Sequence, residues 1–308
     1  MAFLTSAAMS RRSTLAAYTW LVLAVNMGVI ALGALVRATG SGAGCGRSWP
    51  TCRGELVPVL EGATAIEFTH RAASGIALLV VVALAVAVFR STAKGNLARL
   101  GASLAVVAIV AEALIGAMLV IAEWVADDAS PARAIAVPLH LVNTLFLLAS
   151  LTLTVFWLRG GGPLSLSGDR LTRRAVIVGG IALVLIFASG AVAALADTLF
   201  PDEPFGADFS GEAHFLTRLR ILHPILAVAA AAIAWWLTGR SGVPGRGPRR
   251  WLPFLIALMI LSGVVSVSIG VPIWMQIVHL MLADALWITY VWVSAEALQE
   301  RAAVPLSP

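Results

Sequence analysis

Charge is what this sequence has least of. Of its 308 residues only 12% are Asp, Glu, Lys or Arg, while 60% are hydrophobic. That balance, with a mean hydropathy of +0.93, excludes a soluble domain and predicts membrane-spanning segments. The alternation of polar and apolar residues that a β-barrel needs is also missing. Helices are therefore expected, since they satisfy their own backbone groups in lipid. No cleavage site follows the first apolar run, and the opening MAFLTSAAMSRR is too short and too poor in arginine for a mitochondrial presequence. A bacterial plasma membrane is the expected home. Cysteine is limited to Cys45 and Cys52.

Eight apolar runs read as spans: about Leu15–Leu35, Ala65–Phe89, Leu100–Ile121, Val137–Leu158, Ala175–Leu195, Leu219–Leu237, Trp251–Ile269 and Trp274–Ala295. Arg11, Arg12, Arg90, Lys94, Arg99, Arg159, Arg170, Arg173, Arg174, Arg240, Arg246, Arg249, Arg250 and Arg301 fall on one side of these runs. The other side holds Glu55, Glu61, Glu123, Asp127, Asp128, Asp202, Glu203, Asp208 and Glu212. The excess of positive charge marks the cytoplasmic side, so both termini are expected there. The net charge of +5 is then a topology signal and not a nucleic-acid footprint.

The stretch RGGGPLSLSGDRLTRR, residues 159–174, reads as a cytoplasmic linker between two sets of four spans, residues 1–158 and 175–308. The halves are weakly alike. VIALGALVRATG ends the first span and LIFASGAVAALAD ends the fifth. The expected fold is an all-α membrane protein, two four-helix bundles related by a pseudo-two-fold axis along the membrane normal.

His70, His140, His223 and His279 lie in spans two, four, six and eight, all near their outer ends under this topology. A histidine in a membrane needs a partner or a ligand. A hydrogen bond to a neighbouring helix is the simpler explanation for one, but four at matching places point to paired ligands. Imidazole pairs hold haem iron in helical bundles, which suggests His70 with His140 and His223 with His279. Arg71, Arg218 and Arg220 are candidate contacts for haem propionates, with interfacial anchoring as the alternative. His214, in an outer loop, reads as a surface residue.

Three rivals fit less well. A quinol-oxidising cytochrome b stacks haems along shared helices, whereas here each helix carries one histidine. A di-iron bundle needs two Glu-x-x-His motifs, and only EFTH is present. A transporter would use midplane acids, for which Glu112 and Asp284 offer little. In EFTHR, Glu67 shares a helix face with His70 and could handle protons there, although an acid also suits a helix start. The second-half stretch RILHP offers no acid. One site is thus expected to react and the other to hold a cofactor.

GALVRATGSGAGC, WPTCRGELVP and IEFTHRAASG together resemble the haem A synthase family, most closely over residues 33 to 75. The resemblance implies oxidation of the C8 methyl of haem O to a formyl group, through hydroxylated intermediates. It implies that His70 and His140 flank the substrate haem, that His223 and His279 ligate a haem b, and that Glu67 is catalytic. A haem O synthase is the implied functional neighbour, with a membrane quinol as electron donor; a homo-oligomer is compatible. A di-haem electron-transfer protein or a haem carrier is the alternative. Pro224 stands where an arginine often follows the third histidine. Cys45 and Cys52 match the loop pair of one bacterial class. On the oxidising outer side a disulfide between them is expected, with free thiols or half a metal site as alternatives.

Overall fold

The protein is described by a computed structural model covering residues 2–167, 169–241 and 251–299, with side chains described except at 2–10, 205 and 232–241. Arg246, Arg249, Arg250 and Arg301 lie outside the described residues, as does the Arg240 side chain. Helices α1 (Ala2–Ala38), α2 (Gly62–Ser91), α3 (Ala98–Ile121), α4 (Pro131–Leu158) and α5 (Arg170–Leu199) follow the apolar runs. They are followed by α6 (Phe215–Arg220), α7 (Leu222–Ser241), α8 (Trp251–Ser268) and α9 (Ile273–Leu298). Among the described residues, seven helices are long and apolar enough to cross a membrane.

The region read as a single sixth span begins as two helices. Proline explains the break. A continuous helix would need the Pro224 N–H to bond the Arg220 carbonyl, but proline has no N–H and its ring clashes there. The chain therefore stops α6 at Arg220 and restarts α7 at Leu222, leaving Pro224 in a first turn where no donor is required.

Close approach between helices is set by small side chains. Along α3, Ala98, Gly101, Ala102, Ala105 and Ala108 are buried at three- and four-residue spacing. A methyl group at Gly101 would run into the Thr154 hydroxyl on α4, so glycine is what lets these helices touch. Helix α4 is the centre of the molecule: 67% of its apolar window is buried, against at most 28% in the other six. It packs on α1, α3, α5 and α9 and so joins the two halves. The Trp287 indole of α9 donates to the Leu145 carbonyl of α4 at 2.7 Å. At the end carrying the cysteine loop, Arg37 of α1 bonds the Ala194 carbonyl, Thr198 Oγ1 and Gln276 Oε1, tying α1 to α5 and α9.

Candidate functional site

Each of the four span histidines rests against a glycine of the preceding span. A methyl group placed on Gly33 would stand 3.0 Å from His70 Cε1, and one on Gly190 would stand 2.9 Å from His223 Cε1. At Gly263 the distance to His279 is 3.5 Å, and at Gly116 to His140 it is 4.0 Å. The missing side chain makes the space that the ring occupies. These four glycines belong to the site, and the sequence reading did not find them. The available signal was a glycine late in α1, α3, α5 and α8, each followed by a helix with one histidine.

His223 and His279 stand with ring centres 6.2 Å apart and planes at 88°. Two imidazoles bridged by one metal, at about 2 Å per bond, would have centres about 6 Å apart. The second-half pair therefore fits an axial pair. His70 and His140 lie within electrostatic range of each other. Among the described residues no three His, Cys, Asp or Glu side chains cluster as a bare metal ion would require. A porphyrin fills four positions itself, so two axial imidazoles suffice for iron.

The Nδ1 atoms differ more than the rings do. His279 Nδ1 is 2.7 Å from Ser262 Oγ; His223 Nδ1 is 3.1 Å from the Ile186 carbonyl and 3.4 Å from Ser189 Oγ. His140 Nδ1 instead touches the Glu112 carboxylate, which also receives the Thr144 hydroxyl. His70 Nδ1 is buried without a hydrogen bond among the described residues. In the second half both Nδ1 atoms are hydrogen-bonded, which leaves Nε2 free to ligate; in the first half neither Nδ1 has a well-formed hydrogen bond, and His140 Nδ1 abuts Glu112 Oε2 as a close ion-pair contact.

Glu67 is buried, one turn before His70. Its Oε2 accepts the Cys45 N–H at 2.7 Å, and its Oε1 accepts from Arg71 Nε at 3.0 Å. Arg71 also donates to the carbonyls of Ser48 and Thr51. Cys45 and Cys52 form the expected disulfide, with Cα atoms 4.5 Å apart. The Gly44 carbonyl accepts from Thr64 Oγ1 at 2.8 Å and Arg53 Nε at 3.0 Å. A methyl group on Gly44 would collide with the Ala63 carbonyl, so only glycine lets the loop lie this close to α2. The disulfide loop is thus seated directly on Glu67 and Arg71.

In the second half the residue three before the histidine is Arg220, a buried cation where the first half has a buried anion. It bonds Asp208 Oδ1 at 2.9 Å, Asp197 Oδ1 at 3.0 Å and the Pro204 carbonyl at 3.1 Å. Arg71 and Arg220 both hold loops, so a propionate would have to share their donors. Arg218 is exposed on α6. His214 is more than a surface residue: it caps α6, accepting the Leu216 N–H at Nδ1, 3.3 Å away.

The profile of the COX15-CtaA family, described as cytochrome oxidase assembly protein, matches residues 16–291. The chain belongs to this family. With its apolar helices, this makes it a multi-pass protein of the bacterial plasma membrane. The Bacillus licheniformis heme A synthase is 42% identical over 89 residues, covering 29% of this chain and 30% of that protein. The Bacillus pumilus heme A synthase is 37% identical over 110 residues, 33% of each. A Thermus thermophilus protein named protoheme IX farnesyltransferase is 45% identical over 300 residues. That match takes in 94% of this chain but 49% of the Thermus protein, so the chain spans about half the length of that relative.

Proposed function

We propose that this chain is a haem A synthase. It oxidises the C8 methyl of haem O to a formyl group, by two hydroxylations and loss of water from the resulting diol. The substrate haem lies between His70 and His140 in residues 1–158. A haem b lies between His223 and His279 in residues 175–308 and supplies one-electron redox chemistry when bound. Residues 159–174 link the halves on the cytoplasmic side, with eight spans and both termini inside. Each hydroxylation would consume one dioxygen and two electrons, one oxygen atom entering the substrate and the other leaving as water, with a membrane quinol or another donor supplying the electrons.

The observation that carries this reading is the inequality of two matched sites. Both hold a histidine pair against glycines, but only the first has a buried carboxylate one turn from its ligand. Glu67 is buried beside His70, and its bond to the Cys45 N–H ties the disulfide loop to the same helix. Arg71 holds the carboxylate in place.

The Thermus relative bears on the substrate. Farnesylation of protohaem is the reaction that yields haem O. A polypeptide carrying that name, with half its length like this chain, supports a haem O synthase as the functional neighbour. Farnesyl transfer itself is not assigned to this chain, because that name describes a whole protein only half of which it matches.

The test is expression together with a haem O synthase, pigment extraction and mass analysis. Haem A or its hydroxymethyl precursor is expected. Unmodified haem O alone, in a strain where the protein has taken up haem b, would leave the electron-transfer or carrier alternative standing.

A further inference from the structure

We propose that Glu112 is a positioning residue for His140. It fixes the ring with Nε2 toward the first-half pocket and makes this imidazole the strongest electron donor of the four. The inference deepens the haem reading above and rests on it.

Glu112 and Gly116 are one helical turn apart on α3, so they share the face that meets α4. Gly116 leaves room for the His140 ring and Glu112 takes its Nδ1 edge. The carboxylate is itself fixed. Its Oε1 receives the hydroxyl of Thr144, one turn beyond His140 on the same helix, while Oε2 meets Nδ1. Its side chain is only 12% exposed, so water competes little for the contact. A carboxylate held between a ligand and a hydroxyl has one evident task here, which is to fix the ligand's tautomer and rotation.

Among the described residues the other three histidines have no anion at Nδ1. Ser262 meets His279, Ser189 and the Ile186 carbonyl meet His223, and His70 Nδ1 has no hydrogen bond. A carboxylate against the ring stabilises positive charge on the imidazole and on an iron it would hold more than a neutral hydroxyl or carbonyl does, which raises electron density at Nε2. A richer donor favours ferric over ferrous iron. The first-half haem is therefore the harder of the two to reduce on account of Glu112.

The test uses the full chain purified in detergent and loaded with iron protoporphyrin IX, read by spectroelectrochemistry. In Glu112→Gln the ferrous-to-ferric ratio of the first-half haem at fixed potential should rise at least about tenfold, a shift of about 59 mV for one electron. The second-half haem serves as the internal fold control and should stay put. An unchanged first-half ratio with both haems bound overturns the role of Glu112 and leaves the haem reading intact. If Glu112→Gln binds neither haem, Thr144→Val decides. It keeps the charge but frees the carboxylate, so a smaller rise in the same direction supports the proposal and no rise overturns it. Full haem content in His140→Ala removes the ligand assignment, and this inference falls with it.

Discussion

In the first half, the residues just before the paired glycines are Leu32 and Ile115; in the second half they are Ser189 and Ser262. The glycines do the same steric work in both, but the neighbours do different chemistry. A serine beside the glycine places a neutral hydroxyl at the imidazole, as a stable cofactor site needs. Leucine and isoleucine cannot; the first half brings Glu112 from a turn away on α3 against His140, and neither first-half Nδ1 has a well-formed hydrogen bond. The buried charges invert as well: Glu67 with Arg71 in one half, Arg220 with Asp208 and Asp197 in the other. The scaffolds of the two halves match while their polar groups do not.

The sharpest way to break this comparison is to remove one ligand at a time. His279→Ala should abolish the low-spin spectrum of the second haem while the first site still binds iron protoporphyrin. Retention of both spectra by purified protein would show that the halves are not separate sites. Next in size is Arg220→Leu, which strands two buried carboxylates and should cost about 3–5 kcal/mol of stability. Thermal unfolding with second-haem absorbance as the probe would read it, with loss expected in that half first.

Reduction of Cys45–Cys52 acts only on the first half. By chain entropy, closing so short a loop contributes about 2.5 kcal/mol. Cys45→Ser should lower the unfolding temperature and leave the second-half haem spectrum unchanged. The smallest effects concern the glycines, and they differ within each half. Gly190→Ala pushes a methyl group against the His223 ring and should cost about 1–3 kcal/mol. Gly116→Ala, with ordinary contact to His140, should be nearly silent in the same assay.

Much of the architecture was legible from apolar runs, because a span is a property of one contiguous stretch. The cysteine pair was legible as well, because both residues fall in one short loop. The break before α7 was readable in principle from Pro224, but the apolar run concealed it. What could not be read depends on helix phase and neighbours. Glu112 looked like a stray membrane acid until α3 and α4 were placed side by side. Arg71 and Arg220 looked free for a ligand, because nothing in sequence shows that loops 12 to 23 residues away claim their donors. The glycine opposite each histidine is likewise a relation between helices.

The central claim is that one half reacts and the other supplies electrons. It is tested most directly by measuring product and bound haem b together in Glu67→Gln, expressed beside a haem O synthase. The account predicts a full complement of haem b with haem A reduced to a trace. Haem A at the level of the unaltered protein, with haem b equally retained, would contradict it.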